Sequence, residues 1–135
     1  ILAYDIDATI DGGAWSSFGT VTTYYNGVLS MGPYRVPNFR YHGRRVYTTK
    51  PPNGAMRAHG GTNLRYSVEV ALDRLAESLG IDPFDLRDLN ALPPNSTTVN
   101  QFRITSTSFR ACLSAARARS GWDEKFRRLP YGHGI

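Results

Sequence analysis

The residues best suited to chemistry lie in one glycine-rich segment, residues 51–61, with the sequence Pro-Pro-Asn-Gly-Ala-Met-Arg-Ala-His-Gly-Gly. A helical pattern follows it directly. A loop of this kind can direct backbone N–H groups at an oxo or phosphate ligand, and the dipole of the following helix strengthens the attraction. Arg57 is suited to an anionic cofactor and His59 to a substrate contact. The alternative interpretation is an ordinary structural loop with an exposed arginine and histidine.

Other chemistry is excluded or unsupported. The spacings of the phosphate-binding P-loop and of the dinucleotide fingerprint are absent. Cys112 is the only cysteine, so the chain alone forms no disulfide, iron–sulfur cluster or structural zinc site. We expect Cys112 to be a small buried residue on a helix. Three aspartates, Asp5, Asp7 and Asp11, share one face of a strand pattern, which indicates a solvated or structural role.

Length and composition indicate a folded chain of about one domain. The chain has 135 residues, of which 41% are hydrophobic and 12% aromatic, which suits one domain or part of one. No apolar run is long enough to span a bilayer, so we expect no membrane association. The strand pattern begins at residue 1, which suggests that residues 1–135 are a fragment of a larger domain.

The formal charge of +5 and the pI near 9.7 favour an anionic partner. The candidates are nucleic acid, a phosphorylated cofactor and acidic neighbouring domains. Aromatic and basic residues alternate in Phe-Arg-Tyr-His at residues 39–42, as in a basic nucleic-acid-binding module. A non-catalytic interaction subunit is a third possibility.

Periodicity predicts the elements that position the loop. Residues 2–11 alternate as a half-buried strand, and residues 20–31 form a short helix. Residues 39–49 are predicted to form a hairpin that turns at His42-Gly43. The order of strands, loop and helices favours an α+β fold, with short antiparallel strands followed by helices, as part of a larger domain.

Three helices are predicted after the loop. The first begins at a cap, Thr62 or Asn63, and ends at Gly80. Asp82-Pro83 starts the second, and residues 106–119 form the third. The first helix should bury one apolar face, made of Leu64, Val68, Ala71, Leu72, Leu75 and Leu79.

Five motifs follow one another along the chain: Gly-Pro-Tyr-Arg-Val-Pro-Asn at 32–38, Val-Tyr-Thr-Thr at 46–49, Pro-Asn-Gly-Ala-Met-Arg-Ala-His-Gly at 52–60, Leu-Gly-Ile-Asp-Pro at 79–83 and Ser-Gly-Trp at 120–122. This series resembles the large, molybdopterin-binding subunit of xanthine oxidase-type molybdenum hydroxylases. They cover nearly the whole chain in the family's order. The resemblance implies an internal fragment of such a subunit.

That resemblance implies a molybdenum–molybdopterin cofactor, in some members the cytosine dinucleotide form. It places Ala55, Met56, Arg57 and Ala58 against the cofactor, with the backbone of Arg57 near molybdenum. It implies no catalytic residue in this chain, since the family's glutamate base lies further along the subunit. It also implies iron–sulfur clusters and FAD on partner domains or subunits, a small-molecule substrate, no nucleic acid, and a cytoplasmic enzyme that is inactive without its other parts.

The resemblance also assigns substrate contacts to His59 and Tyr25. A histidine at position 59 is similar to the 4-hydroxybenzoyl-CoA reductase branch, whereas purine oxidisers have a phenylalanine there and an arginine near position 25. The alternative interpretation of Tyr25 is core packing. The loss of that phenylalanine and arginine argues against purine substrates and leaves the substrate open. The chain also departs from the family pattern at Ala58, where glycine is commoner, and at Thr62-Asn63, where proline-glutamine is usual.

Overall fold

The computed structural model describes residues 1–30 and 32–128. It opens with a strand–helix–strand unit of β1 (Ala3–Asp11), α1 (Gly19–Leu29) and β2 (Asn38–Val46). The two strands pair in parallel, from Ala3 opposite Asn38 to Asp11 opposite Val46. A parallel pair needs a crossover between its strands, and α1 supplies it. The mixed α and β class is confirmed, but the long strands are not antiparallel as predicted.

The predicted hairpin at residues 39–49 is wrong, because β2 runs straight through His42 and Gly43. Burial alternates along the whole strand, so one face packs inward and the other faces out. A Cβ at Gly43 would lie 2.6 Å from the Tyr41 hydroxyl oxygen, and one at Gly27 would lie 2.4 Å from the Tyr41 ring. These glycines make room for the Tyr41 ring that joins β2 to α1.

Helix α2 (Gly61–Leu79) supplies most of the core. Its buried side chains are spaced four residues apart: Leu64, Val68, Leu72 and Ala76. They pack with the extended segment at Tyr34 and Val36. The predicted face is therefore confirmed at Leu64, Val68 and Leu72, but Ala71, Leu75 and Leu79 are exposed because they lie beside that row. Neither Thr62 nor Asn63 is the cap. The residue before the helix is Gly60, with a positive φ.

The rest of the described chain is mostly helical. It contains α3 (Pro83–Asn90), an antiparallel pair of β3 (Ser96–Thr97) and β4 (Arg103–Ile104), α4 (Phe109–Ser120) and α5 (Trp122–Arg128). Asp82 caps α3 as predicted, since its carboxylate accepts a 2.7 Å hydrogen bond from the Phe84 N–H.

Helix α4 corrects the expectation for Cys112, which is exposed. The helix turns only Phe109, Leu113 and Arg117 partly inward, at a spacing of four, and Cys112 lies one position off that row. None of the described helices has the length and apolar character needed to cross a membrane.

Candidate functional site

The connection from β2 to α2 ends in residues 54–60, which we call the 54–60 loop. Its last three residues, Ala58–Gly60, form a short 3₁₀ turn. Its base is fixed to the end of β1, since the Asn53 N–H donates to the Gly12 carbonyl at 3.1 Å and Asn53 Nδ2 to the Asp11 carbonyl at 3.1 Å. Beyond Asn53 the chain lies at the surface, and Met56 is 93% exposed. Within the described residues, no protein acceptor binds the N–H groups of residues 54–57. These donors are free for a ligand.

Three consecutive residues then enter the left-handed region. The φ angles are 52° for Ala58, 48° for His59 and 91° for Gly60. A run of this kind is rare for residues with a Cβ and is typical of sites where the surrounding structure enforces a conformation. A Cβ at Gly60 would lie 2.6 Å from Thr22 Cγ2 and 2.8 Å from the Thr22 carbonyl oxygen. The loop thus rests directly on α1.

The His59 ring contacts two aromatic rings. Its ring centroid lies 5.3 Å from that of Tyr25, in a stacked arrangement, and 5.4 Å from that of Phe18. Phe18 is the N-cap residue of α1 and Tyr25 lies within the helix, so both rings that contact His59 come from α1 and its cap. Sequence reasoning assigned Tyr25 and His59 to the substrate but missed Phe18, which lies outside the helix predicted over residues 20–31.

The other predicted cofactor residues all lie on this loop. Ala55 is partly buried, whereas Arg57 and Ala58 are exposed. The Arg57 backbone is extended, with φ −143° and ψ 159°. Its guanidinium makes no hydrogen bond or ion pair with the described part of the chain, which leaves it free to meet an anion.

Comparison with known proteins decides the family. Residues 1–91, which include the strand–helix–strand unit, the loop and α2, match the model of the molybdopterin cofactor-binding domain. The chain belongs to this family. As a molybdopterin cofactor-binding domain it is 34% identical, over 120 residues, to a probable xanthine dehydrogenase subunit of Bacillus subtilis. That match covers 89% of the chain and 16% of the relative, so the chain spans about a sixth of that relative's length.

Two solved oxidoreductase structures share the fold of this chain. The aldehyde oxidoreductase of Desulfovibrio desulfuricans is 31% identical with a TM-score of 0.78, covering 93% of this chain and 14% of that one. Quinoline 2-oxidoreductase of Pseudomonas putida is 26% identical with a TM-score of 0.81, covering 94% of this chain and 17% of that one. The arrangement of β1, α1, β2 and the loop is therefore that of molybdenum hydroxylases.

The 54–60 loop of this molybdopterin cofactor-binding domain fits an anionic pterin by the chemistry of its donors. The segment 51–63 contains no aspartate or glutamate that would repel such a group. It offers free N–H groups, the unpaired guanidinium of Arg57 and the start of α2, whose dipole favours negative charge. Among residues 1–30 and 32–128, no three His, Cys, Asp or Glu side chains gather as a metal site. The donors suit the pterin ligand rather than a bare metal ion.

The acidic residues near the domain's site are engaged elsewhere. Asp11 accepts from Lys50 Nζ at 2.8 Å, from the Thr48 hydroxyl at 2.6 Å and from the Gly13 N–H at 3.0 Å. These hydrogen bonds, with that from Lys50 the largest influence, hold the pKa of Asp11 well below its usual range. Asp5 pairs with Arg40, and Asp7 with Arg44. Each of these three carboxylates is engaged in an ion pair, which agrees with the predicted structural role.

The nucleic-acid interpretation loses its physical basis. Phe39 and Tyr41 point to the covered face of β2, whereas Arg40 and His42 lie on the exposed face. Stacking rings and basic groups therefore do not form a joint clamp. Arg40 is neutralised by Asp5 as well.

Proposed function

We propose that this chain forms one wall of the molybdenum–molybdopterin site of a larger molybdenum hydroxylase, an oxidoreductase of aromatic, heterocyclic or aldehyde substrates. The observation that carries the proposal is the run of unbonded N–H groups at residues 54–57. It leads into the left-handed turn Ala58–Gly60, in a chain whose residues 1–91 match the molybdopterin cofactor-binding domain. The aldehyde and quinoline oxidoreductases of similar fold support the reaction class.

In this proposal Ala55, Met56, Arg57 and Ala58 hold the cofactor. Backbone N–H groups of the loop donate to its oxygen atoms, and the Arg57 backbone lies near molybdenum. The free guanidinium of Arg57 adds positive charge. When bound, the molybdenum centre would supply the oxidising chemistry. The chain's own residues bind and orient, and the proton-transferring base comes from elsewhere in the protein.

His59 and Tyr25 form the substrate-facing part of the proposal. The His59 ring contacts Tyr25 and Phe18 and is exposed, so its nitrogen atoms can exchange hydrogen bonds with a polar group of a substrate. A histidine in this position sharpens the expectation of a non-purine substrate. The 4-hydroxybenzoyl-CoA reductase branch is the nearest specific candidate.

The remaining parts of the enzyme are proposed on family grounds. Iron–sulfur clusters and FAD on other domains or subunits would carry electrons away. The cytosine dinucleotide is the candidate form of the pterin, and the cytoplasm is the expected compartment. Because the chain spans 14% of the aldehyde oxidoreductase that shares its fold, activity is expected only from the whole assembly.

The test is the cofactor content of the whole protein that contains this chain. We expect stoichiometric molybdenum by mass spectrometry and a pterin fluorophore after oxidative release, from cells grown with molybdate. Protein that is folded yet free of both would overturn the proposal. The substrate role is tested separately with His59→Ala, matched by Tyr24→Ala on the same surface. His59→Ala should keep its molybdenum and raise KM for aldehyde or quinoline probes more than it lowers kcat.

A further inference from the structure

The Arg45 guanidinium lies in a cradle made by two glycines beneath the 54–60 loop. A Cβ at Gly19 would be 1.7 Å from Arg45 Cζ, and one at Gly12 would be 2.7 Å from Arg45 Nε. The planar group therefore lies directly on the backbone at the start of α1 and at the end of β1. Any larger residue at Gly19 would displace it, which makes this arrangement specific.

Arg45 fastens the base of the loop. Its Nη2 donates to the Gly12 carbonyl at 3.0 Å, to the Ser16 carbonyl at 3.5 Å and to the Asn53 carbonyl. Asn53 is the residue immediately before the loop, and its own N–H returns to Gly12. One guanidinium thus fixes where the free N–H groups of residues 54–57 begin.

The charge of Arg45 has no carboxylate partner within the described residues. Its Nε and Nη1 are buried without any hydrogen-bond acceptor. The nearby Asp11 is already engaged by Lys50 and Thr48. Arg44, one residue away on the opposite face of β2, has Asp7 as its partner at 2.6 Å. A partly buried and unneutralised cation is costly unless something compensates it, and its field favours an anion nearby.

From these contacts we infer that Arg45 is a positioning residue for the 54–60 loop, and that its charge favours the anionic cofactor held there. The inference deepens the proposed function and rests on it. Arg45 does not touch the cofactor. It acts through the Asn53 carbonyl and through its uncompensated charge.

The test compares Arg45→Leu with Arg44→Leu in the whole protein, since both remove one arginine from the same strand. We expect Arg45→Leu to lower the molybdenum and pterin retained after dialysis by roughly tenfold, the effect of about 1.4 kcal/mol in affinity. Arg44→Leu should retain both. Arg45→Lys keeps the positive charge but loses the planar guanidinium, so its cofactor retention should lie between those of the two leucine variants. Gly19→Ala should lose cofactor although Arg45 itself is unchanged.

Two further measurements separate positioning from simple destabilisation. The unfolding midpoints of the cofactor-free forms of Arg45→Leu and Arg44→Leu should be close. Equal cofactor retention in the two variants, with a loaded wild type, would overturn the inference and leave the proposed function standing. If the wild type carries no molybdenum, the proposed function fails instead. Hydrogen exchange at the Asn53 amide then decides: faster exchange in Arg45→Leu supports its hold on the loop, and unchanged exchange refutes it.

Discussion

The two ends of α2 make an instructive comparison, because a left-handed glycine stands at each. Gly80, with φ 64°, ends the helix, and a Cβ there would meet no atom of the described residues within 4 Å. Gly60, with φ 91°, precedes the helix, and a Cβ there would strike Thr22. A positive φ therefore only ends the helix at Gly80, whereas at Gly60 it lets the 54–60 loop pack closely against α1.

The surroundings of the two ends differ in the same sense. Beyond Gly80 the polar side chains have partners within the fold. Asp82 caps α3 and accepts a hydrogen bond from Trp122 Nε1 at 2.8 Å. Arg117 forms ion pairs with Asp85 and Asp123. Before Gly60 the chain carries free N–H groups and residues with positive φ. Strain and unused donors concentrate at the end of α2 that we assign to the cofactor, as expected where function rather than stability shapes the backbone.

Replacing Gly60 should have the largest effect on cofactor binding, because it disturbs the end of α2 that we assign to the cofactor. Gly60→Ala adds the left-handed penalty of about 1–2 kcal/mol and a clash with the Thr22 backbone, which together should push the 54–60 loop off α1. Molybdenum content of the whole protein should fall severalfold or more. Gly80→Ala carries the same left-handed penalty in open space and should keep its molybdenum. Equal losses in the two variants would show that the ends are not different.

The middle of α2 offers a second test, since Tyr34 and Tyr4 both lie near Glu69. The Tyr34 hydroxyl donates to the Glu69 carboxylate at 2.9 Å, whereas the buried Tyr4 hydroxyl has no hydrogen-bond partner among the residues that the structure describes. Tyr34→Phe should cost about 1–2 kcal/mol because the carboxylate loses a donor. Tyr4→Phe should be neutral or slightly stabilising. Hydrogen exchange of the α2 amides measures both, and a larger loss in Tyr4→Phe would contradict the assigned contacts.

Alkaline pH should loosen the same region more gradually. Burial, followed by the charge of Glu69, raises the pKa of Tyr4 to about 12 and raises that of Tyr34 as well. A raised pKa means that the unfolded chain releases these protons first. Stability should therefore be intact below pH 10 and fall as pH rises from about 10 to 12. Tyrosinate absorbance and exchange of α2 followed together should show this, and Tyr34→Phe should flatten the dependence.

The smallest expected effect is at the rim of the loop. Phe18→Leu removes a ring contact with His59 that we expect to contribute about 0.5–1 kcal/mol. Exchange in the turn Ala58–Gly60 should quicken slightly while exchange around Gly80 is unchanged. Tyr24→Leu is the control, because the Tyr24 ring contacts Tyr25 and not His59. An effect at both ends of α2 would mean that Phe18 supports the fold generally.

The sequence predicted what depends on local periodicity. Strand β1, helix α1, the end of α2 at Gly80 and the Asp82 cap all follow from alternation, helical spacing and capping chemistry. It failed where tertiary packing decides. Gly43 looks like a turn residue but makes room for Tyr41. Gly60, rather than Thr62 or Asn63, is the cap of α2 because the loop packs on α1 there.

The candidate site divides in the same way. Motif resemblance predicted Arg57, His59 and Tyr25, and the structure brings the last two into contact. Phe18 and Arg45 were not predicted, since their importance comes from what α1, β2 and the loop bring together. An arginine in a strand carries no sign that it will lie on two glycines of a distant segment.

An experimental structure of the whole protein with its cofactor tests the central claim most directly. The quantity to measure is the distance from the backbone nitrogen atoms of residues 54–57 to the nearest oxygen atom of the molybdenum–pterin group. We predict at least one such distance near 3 Å, the length of an N–H to oxygen hydrogen bond. A cofactor bound elsewhere, with these N–H groups facing only water or other polypeptide, would contradict the assignment.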